Sequence, residues 1–235
     1  MRALSASPGL PAATPTGTPT GAATIRRMSD SPIAVVDFET TGMGPQQGAR
    51  ATEIAVVLVQ DGRIIDRYQN LMYTGVHIPP FIVSLTGISN AMLKDAPPAE
   101  QVMREVAEFT RGMPLVAHNA AFDRGFWQAE MARADVAPDP AHEFACTVLL
   151  SRRLYDDAPS RKLSNLADWL GLERDGRAHR AMSDADVTAQ LLIRLQRDIA
   201  RRFADELGDR TPDHALLCRL QRAGKHQLAR CVASA

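Results

Sequence analysis

Along this chain the spacing of apolar positions changes from block to block, and each change marks an element. Runs at 33–36 and 54–59 have the length and β-branched composition of buried strands. Asp61-Gly62 is a hairpin turn signal that leads into a third strand from Arg63 to about Met72, so the chain opens with antiparallel strands. After a proline-rich link, Val102, Val106 and Phe109 recur at helical spacing in PAEQVMREVAEFTRGM. PLVA at 114–117 is a short buried strand, NAAFDRGFWQAEMARA a helix with Phe122, Phe126 and Met131, and EFACTVLL another short apolar run. KLSNLADWLGL is a helix that stops at Gly171, and Val187, Leu191, Leu195 and Ile199, four apart, lie on one long helix. Strands first, then helix and strand in alternation, predict an α/β fold with a mixed sheet flanked by helices.

The two ends read differently. Residues 1–30 are rich in Pro, Thr, Gly, Ala and Ser and have no hydrophobic period, which is the composition of a disordered tail; Met28 is a second candidate start. The dense pattern occupies 31–200. In 201–235, Leu216, Leu217, Leu220 and Leu228 with intervening arginines describe a helical extension that either packs on its own domain or tethers a partner.

Charge narrows the partners. Lys+Arg and Asp+Glu are 27 each, so no global basic field advertises nucleic-acid binding, and any such partner is held by a local patch. Arg152, Arg153, Arg161 and Lys162 are candidates for that patch, although the acids of LYDDAPS between them equally suit a solvated loop. No apolar run reaches the length of a membrane span. Cys146, Cys218 and Cys231 are far apart and lack zinc-ligand spacing, as expected of reduced thiols in a cytoplasmic protein.

The candidate chemistry begins in IAVVDFETTG at 33–42. Strand side chains alternate, so Asp37 and Glu39 point one way and Phe38 the other. Two carboxylates held together repel and lose hydration unless a cation or proton lies between them, which suggests a metal site; two solvated acids on an exposed strand end are the ordinary alternative. Asp123 follows the strand PLVA in HNAAFD, and Asp184 lies in HRAMSDAD with Ser183 as the expected N-cap of the long helix. Acids in first turns also simply suit the helix dipole. Four acids from separate segments at one strand end make the metal site the better reading.

DFETTG, HNAAFD and HRAMSDA, in this order and with His179 ahead of Asp184, resemble the three motifs of the DEDDh family. These are the DnaQ-like 3'-5' exonucleases that include the proofreading epsilon subunit of bacterial DNA polymerase III. Flanking LTGI and CTVLL are similar too, and the resemblance covers about Ile33 to Leu195. It implies a ribonuclease H-like fold and two Mg²⁺ or Mn²⁺ ions, which in two-metal sites stand roughly 3.5–4 Å apart. In that scheme Asp37 bridges both ions, Glu39 and Asp184 complete one site, Asp123 serves the second, and His179 is the general base. The resemblance also implies a pocket for the terminal nucleotide, with Thr41, Gly42 and Leu85 to Ile88, Thr86 included, as wall and with His118 and Asn119 bordering the groove. Thr40, Thr41 and Gly42 offer polar groups and close approach to a 3' end, and Phe122 is either a stacking face for a base or core.

The substrate expected is a single-stranded or frayed 3' end, DNA favoured over RNA, with nucleoside 5'-monophosphates released and a DNA polymerase as a possible partner. Two rivals are weaker. Asp37, Glu39 and Thr41 loosely imitate the nucleophile motif of haloacid-dehalogenase-type phosphatases, and GDRTPD at 208–213 their later acidic motif, but it follows polar RRFADEL instead of a buried strand. A non-catalytic nucleic-acid-binding or polymerase-tethering module is expected to lack one of the four acids or the histidine, and this chain has all five.

Overall fold

In the computed structural model, residues 31–174, 176 and 179–234 are described; the tail expected at 1–30 lies outside them. β1 (Ile33–Thr40), β2 (Ala51–Gln60), β3 (Arg63–Leu71), β4 (Leu115–Ala117) and β5 (Phe144–Cys146) form one sheet in the order β3-β2-β1-β4-β5. The first three strands pair antiparallel, and β4 and β5 add in parallel beyond β1. The β2–β3 turn is tight because Asp61 and Gly62 both take positive φ, 50° and 72°, as a primed hairpin turn requires.

The helices are α1 (Pro80–Thr86), α2 (Asn90–Lys94), α3 (Ala99–Phe109), α4 (Ala120–Arg133), α5 (Thr147–Leu154), α6 (Leu163–Leu170), α7 (Ala181–Arg202), α8 (Ala204–Leu207), α9 (His214–Leu220) and α10 (Leu228–Ala233). The proline-rich link thus carries two short helices. EFACTVLL divides: β5 takes its first half and α5 its second.

Alternation along β1 and β2 separates two cores. Ile33, Val35, Ala55 and Val57 pack with Ala185, Leu192 and Leu195 of α7, whereas Ala34, Val36, Phe38, Ile54 and Val56 pack with α3 and α4 around Met103 and Phe126. β2 is buried on both faces, which is why it reads as an unbroken apolar run. Phe126 is fully buried, and Phe126→Ala is expected to cost about 3–5 kcal/mol.

Residues 201–234 join the α7 core: Leu207, Leu216, Leu217, Leu220, Leu228 and Val232 are buried within it. Gln221 completes the sheet edge, its Oε1 accepting from the Cys146 amide (2.7 Å) and its Nε2 donating to the Phe144 carbonyl (3.2 Å). A side-chain amide therefore pairs an edge strand whose backbone groups would otherwise be left open. Asp213, the last residue of the phosphatase-like stretch, caps α9 by accepting from the Leu216 amide.

Candidate active site

The C-terminal end of β1 emerges between the two helical layers, and the four acids meet there. Asp37 and Glu39 leave β1 on the α7 side, where Asp184 stands in the first turn of α7. Asp123, in the first turn of α4, reaches back so that its Oδ1 accepts from the Phe38 amide at 3.3 Å. β4 puts it there, because α4 starts three residues after that short parallel strand ends. His179 precedes α7 with φ of 59°, a left-handed conformation that histidine enters more readily than most side chains. Its amide donates to Asp184 Oδ2 at 3.2 Å, and ligand atoms of Glu39, His179 and Asp184 all lie within 4.8 Å of one another.

Electrostatics explains what this arrangement lacks. Burial, then the fields of Asp123, Asp184, Glu39 and Glu53, holds the Asp37 carboxyl well above the usual range. Burial and the charges of Asp184 and Glu53 push Glu39 to about 8, with Arg180 opposing. Burial pushes Asp123 to about 7 against its amide donors, and Asp184 is raised by burial too. Carboxylates this short of positive charge are destabilised when ionised, and a divalent cation reverses that. The donor set, carboxylate oxygens with one imidazole at the edge, fits a hard divalent ion.

Several surrounding side chains serve the scaffold. Thr40 Oγ1 donates to the Gly42 carbonyl (2.8 Å), and Thr41 exchanges bonds with Arg50, its amide donating to the Arg50 carbonyl and its Oγ1 accepting from the Arg50 amide. Gly42 passes so close to Ala49 that an added Cβ would lie 3.4 Å from the Ala49 Cβ. Arg50 is held in turn by Glu130 of α4, Nε to Oε1 at 2.8 Å and Nη2 to Oε2 at 2.9 Å. His118 has both ring nitrogens engaged, with Thr147 Oγ1 (2.9 Å) and the Arg161 carbonyl (3.0 Å), and burial lowers it to about 4, so it stays neutral. Asn119 is an exposed left-handed N-cap of α4, and Phe122 packs on Phe126 with ring centroids 5.0 Å apart while remaining half-buried. Of the LTGI residues, Leu85 is 44% exposed, whereas Thr86 and Ile88 are buried, the Thr86 hydroxyl donating to the Ile82 carbonyl. Arg161 turns its guanidinium inward onto the Tyr155 and Ala158 carbonyls.

One expectation is corrected and one cluster was not foreseen. The N-cap of α7 is Arg180, and Ser183 lies inside the first turn. The reason is tertiary: Glu53 of β2 accepts from the Ala181 amide (3.1 Å) and takes over the capping of α7. Glu53 and Arg180 escaped the sequence reading, although a lone acid in the apolar run ATEIAVV is the same signal that singled out Asp37. Away from the acids, Glu143, His214 and Cys218 also come together. There the sulfur stands 3.7 and 3.8 Å from the two ring nitrogens, on the lone-pair axis of neither, and Nε2 bonds the Leu115 carbonyl at 2.9 Å.

Comparison with known proteins gives this geometry a context. The exonuclease family model matches residues 34–192. The 3'-5' exonuclease DinG of Bacillus subtilis is 38% identical over 168 residues, covering 72% of this chain and 18% of that protein. A PolC-type DNA polymerase III of Halalkalibacterium halodurans is 33% identical over 220 residues, covering 88% and 15%. The chain thus spans less than a fifth of either relative. Among solved structures, exonuclease X in complex with 5' overhanging duplex DNA is 25% identical with a TM-score of 0.56, covering 85% of this chain and 99% of that one. The nuclease domain of 3'hExo, a DEDDh family member bound to rAMP, is 22% identical with a TM-score of 0.61, covering 72% and 92%, and shows the same ribonuclease H-like fold. With the match extending across both helical layers and all five residues of the acidic site, this chain belongs to the exonuclease family.

Proposed function

We propose that the protein is a metal-dependent 3'-5' exonuclease that hydrolyses phosphodiester bonds at single-stranded or frayed 3' ends of DNA and releases nucleoside 5'-monophosphates. The convergence of Glu39, Asp184 and His179 within 4.8 Å, beside Asp37 and Asp123, carries this reading. Mg²⁺ or Mn²⁺, two ions in the fullest form, is the cofactor that the donor set suits, held by Asp37, Glu39, Asp123 and Asp184. Such ions, when bound, neutralise phosphoryl charge and make water more acidic.

The remaining work falls to the chain. The exposed imidazole of His179 takes the proton of the attacking water, a role open to a ring nitrogen that solvent and substrate can both reach. Its left-handed backbone and the bond from its amide to Asp184 keep it at the lip of the acidic pocket. The rigid 40–50 turn, closed by Thr40, Thr41 and Arg50, gives the terminal nucleotide a fixed wall beside Gly42, and exposed Leu85 offers an apolar contact for its base.

A second reading, an exoribonuclease, is favoured by the rAMP bound to a neighbour of the same fold. The PolC-type relative supports a polymerase partner in proofreading. We place the activity in the cytoplasm; no helix among the described residues is long and apolar enough to cross a membrane. The test follows 5'-labelled single-stranded DNA and matched RNA with Mg²⁺, Mn²⁺ or EDTA. A metal-dependent ladder shortening from the 3' end and absent in Asp184→Ala supports the reading, and the faster polymer names the substrate. Cleavage of neither would replace it with a nucleic-acid-binding module.

A further inference from the structure

Glu53 lies directly across from Glu39 in the β1–β2 ladder, so the two side chains share a face. Glu53 is 1% exposed, and like charges so placed repel. It is nonetheless fully satisfied. Arg180 grips it with two bonds, Nη2 to Oε1 at 2.7 Å and Nε to Oε2 at 3.1 Å, Gln69 Nε2 donates to Oε1 at 2.7 Å, and the Ala181 amide donates to Oε2. Arg180 follows His179 and occupies the N-cap position of the helix that bears Asp184. Its guanidinium also acts electrostatically on Glu39. Both ends of this pair therefore adjoin the acidic site, and neither belongs to it.

We propose that Glu53 is a positioning residue that sequesters Arg180: it anchors the start of α7 and keeps the guanidinium from pairing with Glu39, leaving Glu39 free for a divalent cation. The inference rests on the metal-site reading above. Without the Glu53 charge, the nearest unneutralised carboxylate partner for Arg180 is on the same sheet face, and an arginine there is a resident competitor for the metal. Bidentate geometry makes the sequestration directional, because a guanidinium committed at both Nε and Nη2 presents its remaining donors elsewhere. Loss of the charge and loss of the anchor are separable, since glutamine at 53 retains an oxygen for the Ala181 amide.

The test measures Mn²⁺ binding by calorimetry and by electron paramagnetic resonance in wild type, Glu53→Gln, Arg180→Gln and the double variant, with thermal unfolding recorded for each. Sequestration predicts that Glu53→Gln weakens Mn²⁺ binding by about tenfold or more while remaining folded, because a freed cation competes at short range. It predicts that adding Arg180→Gln restores binding to within about threefold of wild type, a non-additive rescue that identifies coupling between the two. A double variant as weak as Glu53→Gln, or weaker, reduces Glu53 to scaffold and overturns the proposal, as does unaltered binding in Glu53→Gln. Wild type that binds no Mn²⁺, or binds it equally with Asp37→Ala and Asp184→Ala, refutes the metal-site reading and this inference with it. Normal Mn²⁺ binding and normal rescue in a protein that cleaves neither polymer would leave the inference standing while the nuclease reading fell.

Discussion

Two sets of buried carboxylates lie within the same sheet-and-helix framework and are treated in opposite ways. Glu53 and Glu130 are each 1% exposed and each closes onto an arginine, through two bonds from Arg180 and three from Arg50, supplemented by a backbone amide from Ala181 or Ala51. Asp123 and Asp184 each accept a backbone amide, but among the described residues no arginine closes onto Asp37, Glu39, Asp123 or Asp184, and Arg180, whose field reaches Glu39, is committed to Glu53. The fold can thus neutralise a buried acid with arginine, and does so on both sides of the site. That the described residues leave the central four uncompensated is the ground for proposing them as a place for an external cation.

The contrast can be broken most severely from the central set. Asp37→Ala and Asp184→Ala are expected to reduce 3'-end cleavage to background while circular dichroism stays native, because deleting one of several repelling charges relieves the folded state. Loss of activity through unfolding would contradict this. His179→Ala is expected to lower turnover by about 10²–10⁴-fold with Mn²⁺ binding largely retained; near-normal turnover would remove it from the mechanism. From the paired set the expected damage is to stability: Glu130→Ala leaves Arg50 only its longer contact with Glu100 (3.5 Å) and should cost about 3–5 kcal/mol in denaturant titration.

The smallest effects are the most diagnostic. In metal-free protein Glu39 holds its proton up to about 8, whereas in the unfolded chain it releases it near 4.5; Asp123 behaves likewise between 3.8 and about 7. The folded state therefore binds more protons in that window, so the contribution is full below it and is lost as pH rises through the folded values. The thermal midpoint without metal should fall between about pH 5 and about pH 8, and Mn²⁺ should stabilise most at the upper end. Glu39→Gln should raise the metal-free midpoint at the upper end of that range by about 2–4 °C for each kcal/mol of repulsion removed. A flat profile, with or without metal, would mean that the four acids are not mutually destabilising.

Much of this site was legible in one dimension because its signals are local. Period-two alternation put Asp37 and Glu39 on one face, and the position of Asp123 beyond PLVA placed it at a strand end. Glu53, by contrast, looked like an interruption in an apolar strand, since its partner is 127 residues away. The start of α7 was misplaced for the same reason: local capping chemistry favoured Ser183, but the donor at Ala181 found its acceptor on another strand. His118 and Thr86 had the sequence position of groove residues, and their hydrogen bonds are spent inside the molecule.

What the sequence alone determined is the order and type of the main elements, the facing of the acids and the family motifs, since each depends on spacing over a few residues. The register that sets Glu39 against Glu53, the pairing of buried acids with Arg50 and Arg180, and the enrolment of residues 201–234 in the α7 core were decided only in three dimensions. Periodicity reports which face a side chain takes, whereas a buried charge is stabilised or left in deficit by whatever distant groups the folded chain brings to that face.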